Sequence, residues 1–349
     1  MQQVVVAGHV CLDLTPALPG APSVDPGHLV EVGALALSAG GCVGNTGRAL
    51  AGLGVDTRLA AVVGADAIGA LLVGLLGAGG ADTAGVAPRD GLSTSYSIVV
   101  EAPGRDRSFW HHVGANAAFD GTDVVLDDAA LLHVGYPAHL PALMEGGAAP
   151  LRALLTRAGS AGAVTSLDFA EVDPRSAAAT LPWARLLPAI LPLVDLATPS
   201  VADLESMLPG SRLDAAGWAE KLVTWGVAVA MVTAGADGIA VRSGRRERLA
   251  SAGSVLARNA DAWAGARLEM PAPPVRIVTS TGAGDAASAG AIASVLAGGG
   301  PDETAALAVA TAAARIAGLP FERAGAIAAG LVQEPGPVGR ETAGDPRRR

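Results

Sequence analysis

Lysine is nearly absent from this chain, since Lys221 is the only lysine among 349 residues. A P-loop needs a lysine directly after its second glycine, and a protein kinase needs one on an early strand. Lys221 meets neither requirement, and its place in a helix-like segment beside Glu220 also argues against a Schiff-base enzyme. A phosphate group bound here must therefore be held by backbone amides, arginine or a metal ion.

Cysteine, positive charge and long apolar runs are also scarce. Cys11 and Cys42 are too few for a disulfide framework and indicate a reducing compartment. The first residues lack the basic-then-apolar pattern of a signal peptide, and apolar runs such as 68–81 are broken by glycine. A net charge of −9 argues against nucleic acid and anionic membranes as partners. We expect a cytoplasmic protein that binds neither nucleic acid nor a membrane.

Small apolar residues make up much of the chain, in which half of the residues are apolar and only 3% are aromatic. Short β-branched runs alternate with helix-like segments along most of its length. This rhythm predicts an α/β fold with a doubly wound, mostly parallel sheet and helices on both faces. We assign residues 1–333 to one domain and predict a disordered tail at 334–349 from its proline, glycine and arginine content. Residues 243–274 are expected to form a long loop over the sheet edge.

Two segments interrupt the α/β rhythm, at 14–38 and 93–114. Both alternate apolar with polar residues between proline and glycine breaks, which predicts strands of a separate small sheet. An open sheet leaves an apolar face and edges that need cover, so we expect a homodimer that pairs through this sheet. His111 and His112 are adjacent and must face opposite sides of their strand, where either could line a ligand site.

The stretch from Val275 to Leu296 has the strongest functional pattern in the chain. Residues 275–278 read as a strand and residues 286–296 as a helix of small side chains. Between them lies Gly282-Ala283-Gly284-Asp285. A helix N-terminus with glycines presents backbone amides to an anion. Asp285 can be read as a helix cap or as a functional carboxylate, and the stretch alone favours the cap.

Three further landmarks precede that stretch. Gly8 and Asp13 follow the first strand, at the end where α/β sheets bind ligands. Gly40, Gly41 and Asn45 come before a helix predicted from Thr46 to Leu53. Thr233, Gly235 and Gly238 follow a later strand. Taken singly, each of these sets can also be a set of ordinary caps and turns.

Together and in this order, the four landmarks resemble the ribokinase-like (pfkB-type) carbohydrate kinase family over roughly residues 4–332. The resemblance implies a β lid, namely the small sheet from 14–38 and 93–114, and transfer of phosphate from ATP, with Mg²⁺, to a hydroxyl of a small sugar. It also implies that Asp285 is the general base and that the amides of residues 282–285 form the anion hole. The implied substrate-binding residues are Asp13, Gly40, Gly41, Asn45 and Asn116, and the implied nucleotide-binding residues are Thr233, Gly235, Gly238, Ser200 and Asp203.

The sequence departs from the family pattern near the phosphate site. Thr279 stands where the family usually has aspartate, so a monovalent-cation site is doubtful. The usual Asn-x-x-Glu is Ser200-x-x-Asp203 here, and this leaves the metal ligands undetermined. Ala170 and Ala287 replace a customary asparagine and phenylalanine.

Three alternatives to a sugar kinase remain open. One is a nucleoside kinase of the same family, and another is a catalytically weak paralogue that only binds its ligand. The third is a dinucleotide-binding oxidoreductase, because Gly282-x-Gly284-x-x-Ala287 fits that fingerprint. That motif requires a second strand ending in an acidic residue, whereas residues 298–301 lead directly into another helix.

Overall fold

The computed structural model describes residues 2–20, 26–101 and 108–332. The strands of the described chain are β1 (Gln3–Gly8), β2 (Cys11–Pro16), β3 (Leu35–Gly40), β4 (Thr57–Gly64), β5 (Asp82–Arg89), β6 (Tyr96–Val100), β7 (Ser108–His112), β8 (Ala129–Gly135), β9 (Val164–Asp168), β10 (Leu196–Ala197), β11 (Val229–Thr233), β12 (Ile239–Ser243) and β13 (Arg267–Met270).

The helices are α1 (Gly41–Gly52), α2 (Ala67–Ala78), α3 (Pro141–Ser160), α4 (Trp183–Ile190), α5 (Val201–Met207), α6 (Ala215–Thr224), α7 (Arg246–Ala250), α8 (Ser254–Ala257), α9 (Ala260–Trp263), α10 (Ala283–Leu296), α11 (Pro301–Ile316) and α12 (Ala324–Val332). Residues 145–148 interrupt α3 with non-helical backbone. No helix in the described ranges is both long and apolar enough to cross a membrane.

Nine strands form the main sheet in the order β13-β12-β11-β10-β9-β8-β1-β4-β5. Pairing is parallel from β5 to β11 and antiparallel at β12 and β13. Alternate residues of β1 enter two different cores, with Val5 on the face that packs against α3, α4 and α6, and Val4 on the face of α1, α10 and α11. The predicted doubly wound α/β sheet with helices on both faces is confirmed.

The small sheet has the order β3-β2-β6-β7 and is separate from the main sheet. Its strands come from the two predicted segments, although β2 begins earlier, at Cys11, and β3 continues to Gly40. Several of its apolar side chains are exposed, including Leu35 and Trp110. We call these four strands the lid sheet.

Helices α10 and α11 pack closely because small residues face one another. A Cβ added at Gly290 would lie 2.5 Å from the carbonyl oxygen of Leu307 and 2.6 Å from the hydroxyl of Thr311. Helix α10 also packs against α1. Helix α10 therefore has packed helices on two sides.

Three predictions about local structure are wrong. Residues 275–278 form no strand, since they pair with none of the described strands and the Val278 amide donates to the carbonyl of Ile316. Ile277 is 75% exposed. Residues 243–274 are not a long loop, since they contain three short helices and the edge strand β13. Helices α1 and α10 start earlier than expected, so their glycines lie at or in the first turn. The predicted tail, 334–349, lies outside the described residues, as do residues 21–25 and 102–107 of the two predicted segments.

Candidate active site

The carboxylate of Asp285 lies buried in the first turn of α10, only 2% exposed. Three side chains from other parts of the chain donate to it. The Asn45 amide and the Tyr136 hydroxyl bond Oδ2 at 3.0 and 2.7 Å, and the Thr46 hydroxyl bonds Oδ1 at 3.1 Å. The structure therefore holds this carboxylate in one orientation.

Asp285 does not cap its helix. The N-cap residue is Gly282, and it makes no side-chain capping bond. Burial raises the pKa of the Asp285 carboxyl to about 6, although the hydrogen bonds from Tyr136, Thr46 and Asn45 lower it. A buried carboxylate with a pKa near neutrality is suited to accept a proton.

The loop before α10 brings backbone amides beside Asp285. Gly282 has a left-handed conformation (φ +76°), and a Cβ there would lie 3.1 Å from Asn45 Cγ, so glycine fits both the turn and the close approach. The Ala283 amide donates to the Ser280 carbonyl at 3.3 Å. Gly284 is exposed, and a Cβ added there would meet no atom within 4 Å. Open space therefore lies in front of the first turn of α10, where a helix binds anions.

Asp13 lies on β2, in the lid sheet, and is only 7% exposed. Its Oδ1 accepts from Cys11 Sγ at 3.3 Å, and burial raises the pKa of its carboxyl. A Cβ on Gly40 would lie 2.2 Å from Asp13 Oδ2, and one on Gly41 would lie 2.5 Å from His9 Nδ1. The two glycines thus let the start of α1 pack directly on Asp13 and His9.

Asn116 is fully buried and makes a two-point contact with the backbone of Val10. Its Nδ2 donates to the Val10 carbonyl at 2.8 Å, and its Oδ1 accepts from the Val10 amide at 3.2 Å. These bonds fix the segment between His9 and Cys11. Its predicted contact with a substrate stays a prediction.

The predicted nucleotide-binding residues lie at the ends of neighbouring strands. Thr233 ends β11 and forms a parallel bridge with Ser200, which follows β10. Gly235 and Gly238 turn the chain from β11 to β12, and both have positive φ angles. A Cβ at Gly238 would lie 2.0 Å from the carbonyl oxygen of Met270, so this glycine has a structural reason to be present.

Ser200 and Asp203 form a capping box at the start of α5. The Ser200 hydroxyl accepts from the Asp203 amide at 3.1 Å, and Asp203 Oδ2 accepts from the Ser200 amide at 2.7 Å. Burial raises the pKa of the Asp203 carboxyl. The pair therefore has a structural role whether or not it also contacts a nucleotide.

Asp168 ends β9 and lies near Asp285 and Asp203. Sequence reasoning did not select it as a site residue. Burial and then repulsion from Asp285 and Asp203 raise the pKa of its carboxyl well above the ordinary value. The partners of these three carboxylates in the described chain are neutral groups, such as Ser288 on Asp168 at 3.4 Å. Mg²⁺ binds through one or two carboxylates, with waters and phosphate oxygens as its other ligands, and this donor set fits it.

Sequence reasoning also missed Tyr136, Thr46, His9 and His139, although it named His111 as a residue that could line a ligand site. The rings of His9, His111 and His139 lie within 5.1–5.7 Å of one another, centroid to centroid. Tyr136 could have been selected because it directly follows the buried strand β8, where ligands bind in parallel sheets. His9 follows β1 in the same way.

Comparison with known proteins gives one family and one fold. The sequence model described as the pfkB family of carbohydrate kinases matches residues 1–318. No curated protein sequence gives a significant match. Among solved structures, Arabidopsis thaliana ribokinase complexed with ribose and ATP has a TM-score of 0.70 at 17% identity, over 94% of this chain and 99% of its own.

Two other solved structures are similarly close. A candidate ribokinase II from E. coli, in complex with ATP and Mg²⁺, has a TM-score of 0.69 at 20% identity and covers 93% of this chain and 96% of its own. A Burkholderia thailandensis nucleoside kinase in complex with inosine has a TM-score of 0.66 at 18% identity, over 91% and 93%. At these identities the likeness shows the fold.

Proposed function

Because the chain belongs to the pfkB family of carbohydrate kinases, we propose that it transfers the γ-phosphoryl group of ATP to a hydroxyl of a small sugar or sugar-like acceptor. One observation carries this proposal. Asp285, with a pKa of about 6, is held by three hydrogen bonds at a helix N-terminus that opens onto free space. A proton acceptor and an anion site thus lie within one helical turn.

Asp285 is the general base in this proposal. It accepts the proton of the acceptor hydroxyl as that oxygen attacks the phosphorus atom. The amides at the start of α10 stabilise charge on the transferred phosphoryl oxygens, which requires positioning rather than covalent chemistry. Asp13 and Asn45 hold acceptor hydroxyls that do not react. The lid sheet carries Asp13 and excludes water that would otherwise hydrolyse ATP.

The nucleotide is assigned to the ends of β10 and β11, where Thr233 and Ser200 meet. Mg²⁺, when bound with ATP, neutralises phosphate charge, and Asp168 and Asp203 are the residues we assign to hold it. A bound cation also relieves the repulsion among the three buried carboxylates. We assign Gly235 and Gly238, which turn the chain from β11 to β12, to the same nucleotide site.

A nucleoside is the second acceptor class that the lid sheet favours. The rings of Tyr96 and His112 pair across β6 and β7 with centroids 5.4 Å apart. Aromatic rings of this kind stack on a nucleobase, which a simple sugar lacks. The nucleoside kinase in complex with inosine has the same fold.

A coupled assay of ADP formation, with panels of sugars, sugar acids and nucleosides, tests the proposal. We expect ADP release that depends on Mg²⁺ and on one acceptor class. Acceptor-independent ADP release, or none with any acceptor in a folded protein that binds ATP, would overturn phosphotransfer and favour a ligand-binding paralogue. A cytoplasmic location and a homodimer remain predictions.

A further inference from the structure

Two imidazoles and one thiol meet beside the acceptor region. The Nε2 atoms of His9 and His111 lie 3.3 Å apart. Cys11 Sγ lies within 4.8 Å of one ring nitrogen of each histidine. His9 and Cys11 are buried, while His111 is partly accessible from solvent. The three candidate ligand atoms are thus two nitrogens and one sulfur, with no carboxylate oxygen among them.

We propose that His9, Cys11 and His111 form a binding site for a borderline-soft divalent metal ion of the Zn²⁺ class. Two nitrogens and a thiolate are the donors that Zn²⁺ prefers, whereas Mg²⁺ prefers oxygen. The site is thus chemically distinct from the Mg²⁺ site assigned to Asp168 and Asp203, and it does not depend on the proposed reaction.

The separations agree with tetrahedral coordination. Zn–N bonds of about 2.0–2.1 Å place two nitrogens about 3.3–3.4 Å apart, which is the separation of the His9 and His111 atoms. A Zn–S bond of about 2.3 Å requires N–S separations of about 3.6 Å. No pair of ligand atoms is more than 4.8 Å apart, so each N–S separation must shorten by about 1.2 Å or less.

Ser97 positions two of the three ligands. Its hydroxyl donates to Cys11 Sγ at 3.6 Å and lies 3.0 Å from His111 Nδ1. Because that hydroxyl proton goes to the sulfur, the Ser97 oxygen accepts from Nδ1–H of His111. His111 Nε2 then carries the lone pair that faces His9. His9 binds the metal through Nε2 as the neutral tautomer whose ring proton is on Nδ1. Metal-binding histidines in proteins have this kind of outer hydrogen bond.

Binding releases one proton in a balanced step. The Cys11 thiol loses its proton to solvent by way of Asp13 Oδ1, to which it donates at 3.3 Å, and the thiolate bonds the metal. The three protein ligands leave a fourth position open, which water fills. Since His111 lies on β7 and His9 follows β1, the ion joins the lid sheet to the end of the main sheet.

Titration of the metal-free, reduced full chain with Co²⁺ tests the site without reference to kinase activity. We expect the visible bands of tetrahedral Co²⁺ and a near-ultraviolet thiolate-to-cobalt band at one equivalent. Cys11→Ser should remove the thiolate band, and His111→Gln should weaken Co²⁺ affinity by at least about tenfold. Co²⁺ binding should release one proton for each ion bound, and Zn²⁺ should then displace the cobalt without further proton release.

Two matched controls use the same residue types outside the trio. Cys42→Ser and His112→Gln should leave both cobalt bands unchanged, since neither residue belongs to the trio. Absence of tetrahedral bands in the wild-type chain would overturn the site, as would a thiolate band that survives Cys11→Ser and disappears in Cys42→Ser. Circular dichroism identifies a variant that fails to fold, and His111→Gln on the lid sheet then remains as the test.

Discussion

Tyr136 donates a 2.7 Å hydrogen bond to Asp285 from a backbone in the left-handed region, with φ of +60°. Tyrosine seldom adopts this conformation, which costs about 1–3 kcal/mol and persists where surrounding structure requires it. Here the turn after β8 is held by the Tyr136 amide, which donates to the Asp168 carbonyl at 3.2 Å. The phenol is therefore fixed over the proposed base.

Tyr136→Phe should move the acidic limb of the pH–kcat/KM profile to higher pH. The Tyr136 hydrogen bond lowers the pKa of the Asp285 carboxyl, so its loss raises that pKa above about 6. Asp285 must be ionised to act as the base, so activity on the acidic limb should fall by up to about tenfold if that limb moves by one pH unit. Initial rates measured from pH 5 to pH 8 check this expectation. A limb that moves to lower pH contradicts this account.

Asp285→Asn and Asp13→Asn should separate kcat from KM. Removing a general base lowers kcat by about 10²–10⁴-fold with little change in the acceptor KM. Asp13 binds hydroxyls already in the ground state, so Asp13→Asn should chiefly raise KM. Steady-state kinetics with the best acceptor checks both expectations. Near-normal kcat in folded Asp285→Asn, or a larger loss of kcat at Asp13, would reverse the assignment.

Asp285→Asn should also stabilise the fold above pH 7. Burial raises the pKa of the Asp285 carboxyl from 3.8 to about 6, so the folded chain holds a proton that the unfolded chain has lost between those values. Stability from this group therefore falls as pH rises through that window, by on the order of 2–3 kcal/mol. An asparagine can keep all three bonds by donating to Thr46. Thermal melts should show a larger stabilisation of the variant relative to wild type at pH 8 than at pH 4.5, because the window from 3.8 to about 6 is only partly crossed at pH 4.5.

Gly284→Val should abolish turnover without unfolding the protein. A Cβ added at Gly284 would meet no neighbouring atom within 4 Å, so we expect the clash to come from a ligand in that open space. Gly282→Ala should instead lower the stability of the fold by about 1–2 kcal/mol, because an alanine there must adopt φ of +76°.

Lys221→Ala should have the turnover of the wild type, since the Lys221 ammonium lies over the rings of Trp218 and Trp225. If Lys221→Ala were as inactive as Gly284→Val, the assignment of the anion-binding site to the start of α10 would be wrong.

Trp110→Glu should dissociate the predicted homodimer. Trp110 is 53% exposed on the lid sheet, and a charge there opposes apolar pairing of two lid sheets. Val125→Glu is the control, since Val125 is 50% exposed but outside that sheet. Sedimentation velocity should show a dimer for wild type and the control only. A wild-type monomer at high concentration contradicts the dimer and leaves the lid sheet unaffected.

The fold could be predicted because each main strand and helix carries its own periodic pattern. The strand predicted at residues 275–278 is wrong, because β-branched side chains favour a strand only where a neighbouring strand is available to pair with it. The landmarks at Asn45 and Asp285 are 240 residues apart, and the structure brings them to 3.0 Å. Their order along the chain indicated a site, but not this contact.

The contacts of Tyr136 and Thr46 with Asp285 could not be predicted, and neither could the trio of His9, Cys11 and His111. Each depends on tertiary contacts, as His9 meets His111 only because β7 pairs with β6 in the lid sheet. A lone histidine after a strand carries no signal of a second histidine 102 positions later. Only the near absence of lysine pointed, from composition alone, to binding by amides and metal ions.

The lid sheet is built from two insertions into the main sheet rather than from one contiguous piece. The chain leaves β1 to form β2 and β3, returns for β4 and β5, and then leaves again for β6 and β7. A chimera with another family member that aims to exchange acceptor preference must therefore transplant both insertions, 9–40 and 93–113, with four splice points. Exchange of either insertion alone would pair β2 of one protein with β6 of the other. The side chains of those two strands have not evolved to pack together.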